Sequence, residues 1–233
     1  HTPTRRQRQM CIRDRITSAG NPRTWTKKLQ SQGIKVIHVV SSVRFALKAE
    51  AAGVDAIVAE GFEAGGHNGR EETTTFVLTP AVVDAVNIPV ISAGGIRCGR
   101  GMLAAMALGA SGVQIGSRFV LSEESSAHMN FKQAVCNANE GDTELRLKAV
   151  TPVRLLKSKF QEQVKEAEER GASPEELEQL LGIGRSKKGM KLGDLQEGEL
   201  EIGQVSGYMD QILPAGEIVT SIWAEYLQSK IAL

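Results

Sequence analysis

Hydrophobic and polar positions follow two recurring patterns over the first half of the chain. Short runs that are apolar on both faces are typical of strands buried in a parallel sheet. They lie at residues 16–19, 34–40, 54–59, 90–93 and 112–115. Between them apolar residues recur at helical spacing, which predicts helices over residues 22–32, 43–51, 80–86 and 101–108. The strict alternation of strand and helix predicts an α/β fold with a parallel sheet and right-handed crossovers.

The alternation stops near residue 123, and the remainder is predicted to be mainly helical. Apolar spacing predicts helices over residues 125–139, 155–170 and 218–227, with an extended segment or a loop over 145–153 and a loop over 186–200. Ser173, Pro174 and Glu176 have the spacing of a capping box and predict one further helix start. We therefore divide the chain into an α/β unit, residues 16–122, and a helical appendage, residues 123–233.

Residues 1–15 differ in composition from everything that follows. They contain five arginines and show neither a hydrophobic period nor helix caps. A basic arm for nucleic acid and an amphipathic targeting peptide are alternatives, but the segment lacks the aromatic and serine residues that these would need. We expect a basic leader that is foreign to the protein and takes no part in the fold.

Composition excludes several classes of protein. The 233 residues carry a formal net charge of +1, which gives no argument for a nucleic-acid partner. Cys11, Cys98 and Cys136 are scattered and form no CxxC pair, so neither a disulfide framework nor a metal site is predicted. Since no apolar run approaches the length of a membrane-spanning helix and no signal peptide opens the chain, we expect a cytoplasmic protein without a membrane partner.

A glycine-rich loop with one histidine follows the third predicted strand. The strand ends at Glu60, and Gly65, Gly66 and His67 come soon after it. Glycines allow the backbone to lie close against a flat ligand, and the carboxyl ends of strands are where α/β proteins hold their chemistry. His67 is therefore the candidate catalytic residue, although a surface turn with an incidental histidine would have the same sequence.

Two further glycine loops follow the fourth and fifth predicted strands. Gly94 and Gly95 begin the first, and Gly116 and Ser117 begin the second. Successive backbone N–H groups at such strand-to-helix junctions favour a phosphate. In a (β/α)₈ barrel the last two such loops form the usual phosphate site, so the pair predicts a phosphorylated ligand.

Residues 60–67, 91–96 and 114–119 together resemble the motifs of the nitronate monooxygenase family, to which flavin-dependent enoyl-acyl-carrier-protein reductases are related. The resemblance implies a TIM-type (β/α)₈ barrel that binds FMN, here incomplete, with about five C-terminal βα units. It implies that Gly95, Gly116 and Ser117 hold the phosphate and that His67 is catalytic. The remaining flavin-binding positions that it implies are Glu60, Gly65, Gly66, Gly94, Gln114 and Ile115.

The function implied by the resemblance is FMN-dependent oxidation of alkyl nitronates by O₂ to a carbonyl compound and nitrite. The partners are then a small-molecule substrate and O₂, with a homodimer as one open possibility for the oligomeric state. One alternative is an FMN- and NAD(P)H-dependent enoyl-acyl-carrier-protein reductase, and another is an incomplete chain without activity. A flavin-free barrel related to inosine-monophosphate dehydrogenase is disfavoured, because no cysteine lies between residues 16 and 92 to act as its nucleophile.

His38 interrupts the second predicted strand, at a position where members of the resembling family usually have proline. We expect it to pack in the strand or to meet a local carbonyl group, and not to act in catalysis.

Overall fold

The computed structural model describes residues 13–232. Five strands form a parallel sheet in the order β1-β2-β3-β5-β6, and three form an antiparallel sheet in the order β4-β8-β7. The strands are β1 (Asp14–Thr17), β2 (Lys35–Val40), β3 (Ala56–Glu60), β4 (Gly66–His67), β5 (Val90–Ala93), β6 (Gly112–Gln114), β7 (Thr143–Arg146) and β8 (Val153–Leu156). The α/β fold with a parallel sheet is therefore confirmed.

Nine α-helices connect and cover these strands within residues 13–232. They are α1 (Thr26–Gln30), α2 (Val43–Ala51), α3 (Thr75–Ala85), α4 (Gly99–Ala107), α5 (Ser117–Val120), α6 (Met129–Cys136), α7 (Lys159–Glu169), α8 (Pro174–Leu181) and α9 (Ala215–Ile231). None of the helices in this part of the chain has the length and apolar character needed to cross a membrane.

Apolar packing between the parallel sheet and its helices builds the first core. Val36 and Ile57 of the sheet are fully buried in one cluster with Ala46 of α2 and Val82 of α3. Small and β-branched side chains suit this interface, because they let a helix lie close to a pleated surface. The packing fixes α2 and α3 against the sheet, and with them the loops that leave β2 and β3.

The register of the sheet aligns three strand ends. Glu60 at the end of β3 pairs with Ala93 at the end of β5, and Ala93 pairs with Gln114 at the end of β6. Because parallel strands all point the same way, the loops that follow them leave from one edge of the sheet. The three glycine loops identified in the sequence are therefore neighbours.

The C-terminal half is less helical than the sequence pattern indicates. The pattern predicts a loop or an extended segment over residues 145–153 and a helix over residues 155–170. In the structure β7 and β8 form an antiparallel pair in this region, and α7 begins only at Lys159. Alternating burial cannot be recognised in β8, because all four of its residues are buried. A strand so short and so apolar has no period that separates it from a buried helix segment.

Two boundaries in the first half also differ from the predicted ones. β1 begins at Asp14 and so includes the last two residues of the predicted leader. Asp14 pairs with Lys35 of β2 and Arg15 pairs with Val36. Residues 1–12 of the predicted leader lie outside the described residues. α3 begins at Thr75 with Pro80 inside it, whereas the pattern placed the start at Pro80, because proline prefers the first turn of a helix.

A buried carboxyl group lies in the C-terminal half. Glu199 is only 5% exposed, and its Oε1 has no hydrogen-bond partner in the described part of the chain. Burial, and next the negative charge of Glu201, raise the pKa of Glu199 to about 7, while Arg185 acts in the opposite direction. The carboxylate form of Glu199 is therefore unfavourable in the folded protein.

Replacing Glu199 by glutamine should stabilise the protein in a pH-dependent way. The pKa of Glu199 is about 7 in the folded protein and 4.5 in the unfolded chain. The wild-type protein therefore keeps its full stability below pH 4.5 and loses part of it as the pH rises through about 7. Glu199→Gln should therefore raise the melting temperature relative to wild type at pH 8 more than at pH 5, with a pH-dependent part of roughly 3 kcal/mol at most. Calorimetric melting of both proteins measures this difference.

The matched control is Glu166→Gln, which removes a carboxylate from the exposed face of α7. Its effect on the melting temperature should be small and nearly independent of pH. Equal effects of Glu199→Gln at pH 5 and pH 8 would contradict the burial argument.

Candidate functional site

A cavity of about 200 Å³ lies where β3, β5 and β6 end. Its wall contains seven of the ten site residues proposed from the sequence. These are Glu60, Gly65, Gly94, Gly95, Gln114, Gly116 and Ser117. The register of the sheet accounts for the convergence, since each residue lies at or just beyond one of the three aligned strand ends.

The two predicted phosphate loops present free backbone donors. The N–H groups of Gly95, Gly116 and Ser117 donate to no backbone acceptor within residues 13–232. Gly94 and Gly95 have φ angles of +94° and +69°, which L side chains rarely adopt. Gly95 and Gly116 are exposed and Ser117 is half-buried, so these N–H groups are open to solvent and can donate to an anion.

Thr75 at the start of α3 ties the loop after β3 to the loop after β5. Its hydroxyl lies 3.1 and 3.0 Å from the carbonyl oxygens of Ala93 and Gly94, and 3.0 Å from Oε2 of Glu63. The Thr75 backbone N–H donates to the same carboxylate at 2.9 Å. A carboxylate is favourable at a helix N-terminus, so Glu63 explains why α3 begins here.

The wall opposite these loops comes from the C-terminal half. Met190, Glu201, Ile202 and Val205 line the cavity there. Nothing in the sequence pattern marked this segment, because residues 186–200 were predicted only as a loop and the residues after them carry no recognisable motif. Contacts between segments so far apart in sequence cannot be inferred from local spacing.

Backbone contacts hold this second wall in place. The Gly203 N–H donates to Oγ of Ser117 at 2.9 Å, and the Gln204 N–H donates to the Glu63 carbonyl at 2.9 Å. Gly65 lies so close to the backbone of Ile202 and Gly203 that a Cβ atom would not fit. Gly65 is therefore required for close approach of two chain segments.

Gly66, His67 and Ile115 are the three proposed site residues outside the cavity wall. His67 is exposed in β4, where it pairs with Val153 of β8. Gly66 has a φ angle of +77°, and a Cβ atom on it would lie 2.5 Å from Oε2 of Glu201. Gly66 therefore lies against Glu201 of the cavity wall, and His67 follows Gly66 directly in the sequence.

Ile115 lines a different, apolar cavity of about 310 Å³ with Phe119 and Trp223. Alternate residues of a strand point to opposite faces, so Ile115 is on the other side of the sheet from Gln114. Gln114, Gly116 and Ser117, its neighbours in the predicted phosphate loop, line the first cavity.

The loop between β3 and β4 is held by a buried arginine. Nε and Nη2 of Arg154 donate to the Phe62 carbonyl at 3.0 and 2.9 Å, and the guanidinium lies 5.0 Å from the centre of the Phe62 ring. Arg154 is 2% exposed, and burial lowers its pKa, against the nearby charges of Glu63 and Glu72. This contact fixes the path of the chain that leads to His67.

The charged side chains that line the cavity are all acidic. Glu60, Glu63 and Glu201 are in its wall, with no lysine, arginine or histidine among the described lining residues. Burial raises the pKa of Glu60 to about 6. Glu60 can therefore change between a hydrogen-bond donor and a carboxylate near neutral pH. No group of three or more His, Cys, Asp or Glu suited to a metal ion occurs in residues 13–232.

Comparison with known proteins identifies the family. A curated relative from Staphylococcus aureus, named probable nitronate monooxygenase, is 38% identical over 207 residues, which cover 84% of this chain and 57% of the relative. The chain therefore spans little more than half the length of that relative.

Two solved structures are similar in fold. FabK from Thermotoga maritima has a TM-score of 0.88 and 40% identity, covering 96% of this chain and 72% of FabK. A nitroalkane oxidase from Streptomyces ansochromogenes has a TM-score of 0.76 and 29% identity, covering 93% of this chain and 65% of the oxidase. The family model for nitronate monooxygenase matches residues 7–225, so the chain belongs to the nitronate monooxygenase family.

Proposed function

We propose that the protein is an FMN-dependent oxidoreductase that oxidises alkyl nitronates with O₂ to a carbonyl compound and nitrite. The observation that carries this proposal is the cavity at the aligned ends of β3, β5 and β6, where two loops with free N–H groups lie beside the loop that bears His67. Membership of the family supports the same reaction class.

The residues present fit a flavin phosphate. The backbone N–H groups of Gly95, Gly116 and Ser117 donate to no backbone acceptor within residues 13–232, and a phosphate can satisfy several such groups at once. Apart from its chain neighbours, no described residue comes within 4 Å of the place where a Cβ on Gly116 would be, so a side chain could be accommodated there. Glu60, Gly65 and Gln114 would line the rest of the cofactor, which supplies the redox chemistry when bound.

His67 has the role of proton acceptor in this proposal. An imidazole nitrogen can take the proton from the α-carbon of a neutral nitroalkane. Once protonated, the ring can hold the anionic nitro group. The exposed position of His67 in β4 leaves it accessible to a substrate.

A second candidate function is the NAD(P)H-dependent reduction of enoyl thioesters by the same flavin. The similarity to FabK, which has the higher identity and TM-score of the two structures, gives it weight. Both reactions would use the same cavity. They differ in the electron donor, which is the nitronate in one and NAD(P)H in the other.

The two functions are separated by anaerobic reduction of the FMN-loaded protein. Bleaching of the flavin absorbance by propyl-2-nitronate alone supports nitronate oxidation. Rapid bleaching by NADPH, with no response to the nitronate, would replace this proposal by the reductase.

A Gly116→Asp substitution should release the flavin. The aspartate would place a second negative charge beside the phosphate, and like charges about 4 Å apart repel strongly in a partly buried site. FMN binding should weaken at least about tenfold, measured by the flavin that remains after gel filtration. The control is Gly216→Asp, at a glycine of α9 that also has open space around its Cβ position. Full flavin content in Gly116→Asp would reject the phosphate assignment.

A His67→Asn substitution should affect two substrates unequally. Turnover of neutral nitroethane needs a proton acceptor, whereas preformed ethylnitronate has already lost its proton. General base assistance is typically worth about 10²–10⁴-fold, so kcat/KM for nitroethane should fall by far more than that for ethylnitronate. Equal losses would mean that His67 binds or positions the substrate.

The affinity for FMN should decrease as the pH rises, through the ionisation of Glu60. With a pKa of about 6, Glu60 is mostly neutral at pH 5 and mostly a carboxylate at pH 8, and the carboxylate repels the phosphate in the same cavity. Glu60→Gln should remove the part of the pH dependence of FMN affinity that comes from Glu60, while the part that comes from ionisation of the FMN phosphate stays. Fluorescence titration with FMN at both pH values measures the difference, and identical profiles for the two proteins would contradict it.

A further inference from the structure

A second polar cavity, of about 350 Å³, lies at the carboxyl ends of β1 and β2. It shares no lining residue with the first cavity. His38, Ser41, Phe45 and Lys48 form its distinctive wall, together with the turn that follows β1. It is therefore a separate site, between the parallel sheet and the first turns of α2.

His38 is buried in this wall with one ring nitrogen unused. The side chain is 6% exposed, and its Nδ1 lies 2.7 Å from Oγ1 of Thr17. Nε2 has no hydrogen-bond partner among the described residues, although His38 lines the cavity. The described buried side-chain atoms without a hydrogen-bond partner do not include Nε2, so this nitrogen is open to the cavity, where a ligand can reach it.

The N-terminus of α2 adjoins the same cavity. α2 has nine residues, and Oγ of Ser42 accepts from the Phe45 N–H at 3.4 Å. The N–H groups of Val43 and Arg44 donate to no backbone acceptor in the described part of the chain; these two residues lie between Ser41 and Phe45, which line the cavity, without lining it themselves. The first turn of a helix carries a partial positive charge and free donors, which favour an anion.

The charge of the cavity agrees with this. Lys48 is the one charged side chain among its described lining residues, and no carboxylate lines it. Burial first, and then the positive charge of Lys48, lower the pKa of His38. The ring is thus neutral in a site whose positive charge has no counter-ion among the lining residues.

We propose that this cavity is an anion site that binds a phosphate or carboxylate group between Lys48, the unpaired ring nitrogen of His38 and the start of α2. The site also adjoins the loop that bears His67, because Ser41 packs against Gly69, two residues beyond His67. A bound anion would neutralise Lys48 and favour protonation of His38, so binding and proton uptake would be coupled. The proposal does not depend on the reaction carried out at the first cavity.

The test is a titration of the full chain with inorganic phosphate and separately with acetate. Long-range ¹H–¹⁵N NMR of the imidazole groups reports on His38, and KCl keeps the ionic strength constant. We expect saturable shifts with a dissociation constant on the order of 1 mM. The pKa of His38 should rise when the site is filled.

Lys48→Gln should weaken phosphate binding about tenfold, since it removes one charge-assisted hydrogen bond. The matched control is Lys159→Gln, which removes an exposed lysine at the start of α7 and should leave the affinity unchanged. A response to acetate without one to phosphate would assign the site to carboxylates. If neither anion shifts His38, or if the two lysine variants bind equally well, the proposal is wrong.

Discussion

The alignment of the carboxyl ends of β3, β5 and β6 is the constraint on which the first cavity depends. Glu60, Ala93 and Gln114 lie side by side because their strands pair in register. Thr75 then locks two of the three loops together through its hydroxyl. Gly61 and Gly94 both pack against this threonine so closely that a Cβ atom on either would collide with it. A shift of one strand by a single residue would turn its side chains to the other face and would separate the loops.

The parts of this arrangement that local sequence determines were predictable. The five parallel strands are predicted by their apolar runs. The loops are predicted by their glycines, because glycine is needed where the backbone has a positive φ angle or lies close to another group. Gly94 and Gly95, with positive φ angles in the structure, belong to this group. Seven proposed site residues accordingly line one cavity.

The parts that were missed depend on contacts between distant segments. The start of α3 is set by the Glu63 carboxylate, twelve positions before Thr75, while the N-cap residue Thr74 makes no side-chain cap hydrogen bond. The pairing of β4 with β8 joins His67 to Val153. β4 has only two residues, too few for any periodic pattern. Such contacts are decided by packing of the whole chain, which local propensity does not contain.

The close approach of Gly65 to Ile202 and Gly203 has a consequence for how the protein is made. A ribosome releases the chain from its N-terminus at about 5–20 residues per second, so the parallel sheet and its glycine loops emerge long before the segment that covers them. Ser117 must wait for Gly203 to form its hydrogen bond. The nascent protein therefore passes through a stage in which the sheet has emerged but the cavity is open on one side.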